Sequence, residues 1–167
     1  MSDIKEKYKN VYCQGVEGAY SHIAAKEIFG AEPVFLRSFE DVCRSVSNEE
    51  NAAGILPSEN STAGIVSGII HLLLKYNLYI NYAKTIEISH LLCAKDDIKA
   101  EDIKVIYSHQ QALLQCSDYL NTLSAEQVET LNTASSALLA LKQSGTAAVC
   151  SKEAAEMVIV DDNFATI

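Results

Sequence analysis

From residue 11 onward, short apolar runs alternate with stretches of helical periodicity. The runs predict strands at Val11–Gln14, Pro33–Arg37, Ala52–Leu56, Leu78–Ala83, Thr85–Ala94, Val105–Ser108, Gln127–Leu131 and Ala147–Cys150. The periodic stretches predict helices at Ser21–Phe29, Phe39–Ser47, Ile65–Tyr76, His109–Leu123, Ser135–Gln143 and Lys152–Met157. In Ile65–Tyr76, the residues Ile65, Ile69, Leu72, Leu73 and Tyr76 form one apolar helix face. Leu113, Cys116, Leu120 and Leu123 form a narrower stripe in the next. Such strand–helix alternation predicts an α/β fold with largely parallel sheets. The long strand-like region Leu78–Ala94 contains no helix, and we expect the chain to pass from one lobe to a second there.

The polar residues gather where strands give way to helices. Pro57-Ser58-Glu59-Asn60-Ser61-Thr62-Ala63-Gly64 follows the apolar run Ala52–Leu56 and is expected to open the helix beginning at Ile65. Backbone N–H groups and small polar side chains at such a junction suit an anion, and this loop carries no Lys or Arg. Gly15–Ser21 after the first strand is a glycine turn with Ser21 as its hydrogen-bonding end, and it lacks G-x-G-x-x-G spacing. Ser108 is placed to cap the helix that follows, with Gln115 seven residues on and on about the same face. Asn132-Thr133-Ala134-Ser135-Ser136 is a third polar turn, and Ser151 after Cys150 repeats the arrangement. His109 reads as a first-turn residue ahead of a general acid. His22, His71 and His90 read as structural. In open α/β folds ligands bind beyond the carboxyl ends of the strands, so these loops are expected to converge on one site.

Composition narrows the function. The chain has 167 residues, of which 49% are hydrophobic and 21% charged, and a formal net charge of −9. With no basic cluster, nucleic acid and anionic membranes are poor partners. The five cysteines (Cys13, Cys43, Cys93, Cys116, Cys150) show neither zinc spacing nor a disulfide framework, so no metal and no disulfide are expected. The charged decamer 1–10 reads as a lead-in or linker stub, not a secretory signal, and no apolar run is long enough to span a bilayer. A protein of the cytoplasm is the expectation.

Taken in order, five segments resemble the prephenate dehydratase family: the glycine turn 15–21, PSENS at 57–61 (the P-x-E-N-S motif), 108–116 (S-H-x-Q-A-x-x-Q-C), the turn 132–137, and Ala147–Ser151. The resemblance implies a two-lobed fold like type II periplasmic binding proteins, each lobe a mostly parallel sheet flanked by helices. Lobe one would comprise 11–84 plus 151–167, and lobe two 85–150, with the site in the cleft. It also implies cofactor-free decarboxylation and dehydration of prephenate to phenylpyruvate, within phenylalanine biosynthesis, by a homodimer. Asn60, Ser108 and Gln115 match the family's catalytic or polarising groups. Ser21, Ser61, Thr62, Thr133 and Ser135 match ligand-positioning ones, and Glu59 is read as orienting its loop. One departure is visible. The family usually carries a T-R-F motif near the end of this region, whereas this chain reads Asp161-Asp162-Asn163-Phe164-Ala165-Thr166-Ile167, and the threonine's role is not transferred to Thr166. A catalytic piece of a longer polypeptide, such as a fusion with chorismate mutase, is therefore expected. The alternative is a module that binds prephenate-like carboxylates without turnover.

Overall fold

The computed structural model describes residues 7–60, 64–95 and 98–158, the side chains of Met157 and Val158 excepted. These form two compact units, one of residues up to Val16 with Tyr20–Glu87, the other of Glu17–Ala19 with the chain from Ile88 onward.

In the first unit, β1 (Asn10–Gln14) lies between β2 (Val34–Leu36) and β3 (Ala52–Ile55), parallel to both. Val11 packs with Ala25 and Phe29 of α1 (Tyr20–Phe29), and the Tyr8 ring meets Phe29 edge-on at 5.7 Å. The helix α2 (Phe39–Ser47) has the bounds that the sequence predicts. Its start is fixed by Ser38, whose Oγ accepts the Asp41 N–H at 3.1 Å, and by the acidic first turn of Glu40 and Asp41. Val42 and Cys43 are its fully buried positions.

The segment after β3 departs from expectation. Glu59–Asn60 (β4) pairs antiparallel with Gly64–Ile65 (β5), so Ile65 lies in a strand and does not begin a helix. The helix α3 starts later, at Ile69, and runs to Lys75. Gly64 and Gly68 take left-handed φ values of 76° and 86°, which a continuous helix through Ile65 could not contain. Residues 78–90 join no ladder, so the predicted strand Leu78–Ala83 is absent and Thr85–Ala94 shrinks to β6 (Leu91–Ala94). Their apolar side chains mislead: Tyr79 and Ile80 are 78% and 70% exposed.

The second unit holds a four-stranded sheet in the order β6–β9–β7–β8, with β7 (Val105–Ser108), β8 (Glu126–Glu129) and β9 (Thr146–Cys150) mutually parallel and β6 antiparallel to β9. All five residues of β9 are buried, as befits a strand covered on both faces. Successive side chains alternate. Ala148 and Cys150, with Leu91 and Cys93 of β6, meet the alanines of α6 (Thr133–Ala140) and of α7 (Lys152–Val158). Ala147 and Val149, with Leu92 and Ile106, meet Ala112 of α4 (Gln110–Gln115) and Leu120 of α5 (Ser117–Leu120). The single helix predicted over His109–Leu123 is thus two, broken at Cys116, where ψ is 8°.

Ala154 and Ala155 belong to the second unit's core, so Ser151–Glu156 packs with residues 88–150, whereas the sequence reading groups 151–167 with lobe one. Alanine supplies the reason, since small side chains let α7 sit close against Ala137 and Cys150. Among the described residues no helix is long and apolar enough to cross a membrane.

Candidate functional site

The second unit's candidate residues share one edge of its sheet, beyond the carboxyl ends of β7, β8 and β9. Ser108 ends β7 and is fully buried; its Oγ donates to the Val149 carbonyl at 2.7 Å. It is a strand residue and not the helix cap. The cap is His109, whose Nδ1 accepts the Gln111 N–H at 3.2 Å, so His109 serves its own turn and stands exposed. Thr130, just past β8, donates its N–H to the Ser108 carbonyl at 2.8 Å, and its hydroxyl lies 2.6 Å from that of Ser136. Asn132 caps α6 by accepting the Ser135 N–H at 2.8 Å. The hydroxyls of Ser135 and Ser136 both donate to the Asn132 carbonyl, each at 2.9 Å. Thr133, half-buried in the first turn, takes no part in that network.

Gln115 ends α4, half-buried, with its Oε1 3.0 Å from Nε2 of His90. His90 immediately precedes β6, whose Leu91 pairs with Cys150. The reading of His90 as merely structural missed this contact, because nothing local joins residues twenty-five positions apart. Ser151 completes the edge: its Oγ accepts the Ala154 N–H at 3.1 Å and donates to the Gly18 carbonyl at 2.7 Å.

In the first unit, Ser21 donates from Oγ to the Gln14 carbonyl at 2.5 Å, closing the turn after β1, and Asn60 pairs with Gly64 in the β4–β5 hairpin. Ser61 and Thr62 lie outside the described residues, as does the C-terminal run 159–167. His22 is a buried structural histidine, 2.9 Å from Glu32 and edge-on to Phe35.

Three candidate hydroxyls (Ser21, Ser108 and Ser135) therefore direct their protons at main-chain carbonyls. In that state they can accept a hydrogen bond but cannot donate one to a carboxylate. Among the described candidate residues, donor capacity toward an anion then falls to amide N–H groups and to the Thr133 hydroxyl. All five cysteines are free, and burial pushes those of Cys13, Cys43 and Cys116 up from their ordinary range. Cys150, 3.7 Å from Cys93, is driven up by that contact and by burial. Cys93, which accepts that contact, is lowered by it, so thiolate chemistry is disfavoured at the other four, and Cys93 is itself buried. Among the described residues no group of three or more His, Cys, Asp or Glu side chains is arranged to hold a metal ion.

Mostly parallel sheets with helices on their faces, and hydroxyl and amide groups along the carboxyl edge, make an α/β fold of the periplasmic-binding-protein kind. The family model described as prephenate dehydratase matches residues 11–163, and the chain belongs to that family. It is 35% identical over 131 residues to the bifunctional chorismate mutase/prephenate dehydratase of Buchnera aphidicola subsp. Schizaphis graminum, covering 74% of this chain and 34% of that one. It is 34% identical over 137 residues to arogenate dehydratase/prephenate dehydratase 1, chloroplastic, of Arabidopsis thaliana, covering 81% and 35%. Among solved structures, one titled as GqqA, a novel type of quorum quenching acylase, superposes with a TM-score of 0.79 at 26% identity, over 90% of this chain and 56% of that one. The prephenate dehydratase of Staphylococcus aureus superposes with a TM-score of 0.77 at 22% identity, over 94% and 58%, a likeness of fold. The chain spans about a third of the length of the curated relatives it matches.

Proposed function

We propose that this chain carries the catalytic region of a prephenate dehydratase, converting prephenate to phenylpyruvate with loss of carbon dioxide and water and without a cofactor. The observation that carries the reading is the family match over residues 11–163, within which the hydroxyl and amide motifs fall at strand ends. The chemistry asks little of the protein. Aromatisation of the ring drives departure of both groups, so a site need only hold two carboxylates and assist the ring hydroxyl as it leaves. Fixed dipoles do this by positioning and by stabilising charge that develops in the transition state.

In this reading Gln115 donates from its amide to the departing hydroxyl, and Asn60 is a second polarising amide. Ser108 offers its oxygen as an acceptor while its proton secures Val149. Thr133 donates to a carboxylate, and Ser135 and Ser21 shape their turns around the ligand. Ser61 and Thr62 complete the ligand contacts. Each helix N-terminus contributes about 0.3–1 kcal/mol toward an anion, so several polar groups must act together against a chain of net charge −9. The same reading carries a cytoplasmic homodimer, on family resemblance alone.

The test is incubation of the purified chain with prephenate, following phenylpyruvate and carbon dioxide, with arogenate in parallel and calorimetric titration alongside. Turnover of prephenate supports the proposal. Binding without turnover favours a ligand-holding module, and neither binding nor turnover would sink both.

A further inference from the structure

We infer that His90 is a positioning residue, which fixes the direction of the Gln115 amide so that its N–H groups meet the substrate hydroxyl; this rests on the role given to Gln115 above. The Nε2 atom of His90 lies 3.0 Å from Oε1 of Gln115. An amide oxygen only accepts, so Nε2 must carry the proton. A reversed amide would set its NH2 group against that N–H, donor against donor. The contact therefore selects one of two amide orientations, and the selected one places the NH2 group on the side of the amide that the imidazole does not occupy.

Both partners stand on rigid backbone, which is what a positioning contact requires. Leu91 and Leu92, which follow His90, are buried and pair with Cys150 and Val149. Val149 is the residue whose carbonyl takes the Ser108 hydroxyl, so β6, β9 and β7 link His90 to Ser108 through one ladder. Gln115 ends a helix anchored by buried Ala112, whose carbonyl accepts the Cys116 N–H at 3.0 Å. The imidazole also polarises the amide it binds. Donation into Oε1 strengthens the outgoing N–H groups, because successive hydrogen bonds in a partly buried chain reinforce one another. A histidine conserving only local packing would need no partner at this distance on a different element.

The test compares the unsubstituted chain with His90→Leu, His90→Gln, Gln115→Ala and the double variant His90→Leu/Gln115→Ala, all assayed on prephenate. A misdirected catalytic group costs up to about 100-fold in rate, so His90→Leu should lower kcat by about 10- to 100-fold with KM nearly unchanged. His90→Gln, which restores an N–H donor at similar reach, should recover most of that loss. The double variant should be no worse than Gln115→Ala, since the two residues act in series. Nitrogen-15 spectra should show the Nε2-protonated tautomer of His90, altered in Gln115→Ala. Losses that multiply in the double variant, an Nδ1-protonated ring, or a His90→Leu variant that melts lower but keeps its kcat would overturn the inference. If the unsubstituted chain turns prephenate over and His90→Leu does so with an unchanged kcat, the inference alone fails. If the unsubstituted chain does not turn it over, the functional reading fails and takes the inference with it.

Discussion

The Ser151 hydroxyl donates to the Gly18 carbonyl at 2.7 Å and accepts the Ala154 N–H at 3.1 Å, so one buried oxygen closes a glycine turn and caps α7 together. The approach leaves no room for a side chain. A Cβ on Gly18 would lie 2.8 Å from Cα of Ala154, and φ at Gly18 is 78°. Gly18→Ala should therefore destabilise the protein by about 1–3 kcal/mol through overpacking against backbone, with about 1–2 kcal/mol more from the left-handed conformation. Ser151→Ala should cost about 1–3 kcal/mol by removing a buried hydrogen bond and a helix cap. Thermal denaturation followed by circular dichroism checks both, and a Gly18→Ala variant melting with the unsubstituted chain would refute the geometry.

Ser108→Ala tests a hydroxyl that serves the frame and, in the proposed function, the site as well. Its proton goes to the Val149 carbonyl between β7 and β9, inside a fully buried position. The variant should lose about 1–3 kcal/mol of stability to urea and also lose turnover when assayed well below its melting temperature. Unchanged urea stability would mean that the hydroxyl is not committed to Val149.

How far the sequence could be read depended on where the deciding interactions lay. The bounds of α2 were legible because its cap, its acidic first turn and its buried Val42 and Cys43 are all local. The parallel strands β1, β7 and β9 announced themselves as short apolar runs between turns. The helix expected from Ile65 was misread because its apolar stripe continues through Gly68, whose left-handed backbone starts the helix afresh. Residues 78–90 read as strand because apolar side chains do not disclose that no ladder partner faces them. At the site, Ser108 and Gln115 were picked out by motif, but the bonds they make, to Val149 and His90, span 41 and 25 positions and have no local signal.

Gly54→Ala probes the face between β3 and α2. A Cβ there would fall 2.9 Å from Cγ1 of Val42 and 3.1 Å from Cγ2 of Val46. Val42 is fully buried, so it cannot swing aside into solvent. The expected loss is about 1–3 kcal/mol, and the compensating change Val42→Ala in the same chain should recover part of it. Urea unfolding of the single and double variants measures this, and two losses that simply add would show that Val42 is not the obstacle.

Acid should weaken the first unit through carboxylates that folding has provided with donors. Glu49 accepts from Tyr12 Oη and Asn10 Nδ2, each at 2.5 Å, and these bonds hold its carboxyl below the ordinary range. Glu40 is lowered by hydrogen bonds from Lys75 and Tyr76, and Glu32 by those from Lys26 and His22. A carboxyl whose folded value is depressed contributes stability above its unfolded value, and that contribution disappears as the pH falls through the folded value. All three groups are solvent-exposed, so each effect is small and screened by salt. Tyr12 has the opposite sign, because its hydrogen bond to Glu49 raises it; its contribution holds below the ordinary tyrosine value of 10.0 and is lost at higher pH. Urea unfolding should show stability level near neutrality and falling as the pH drops below the ordinary glutamate value of 4.5. The fall should be shallower in Glu49→Gln, which keeps an acceptor for Tyr12 but has no proton to gain. An identical slope in the variant would mean that Glu49 is not among the groups that set it.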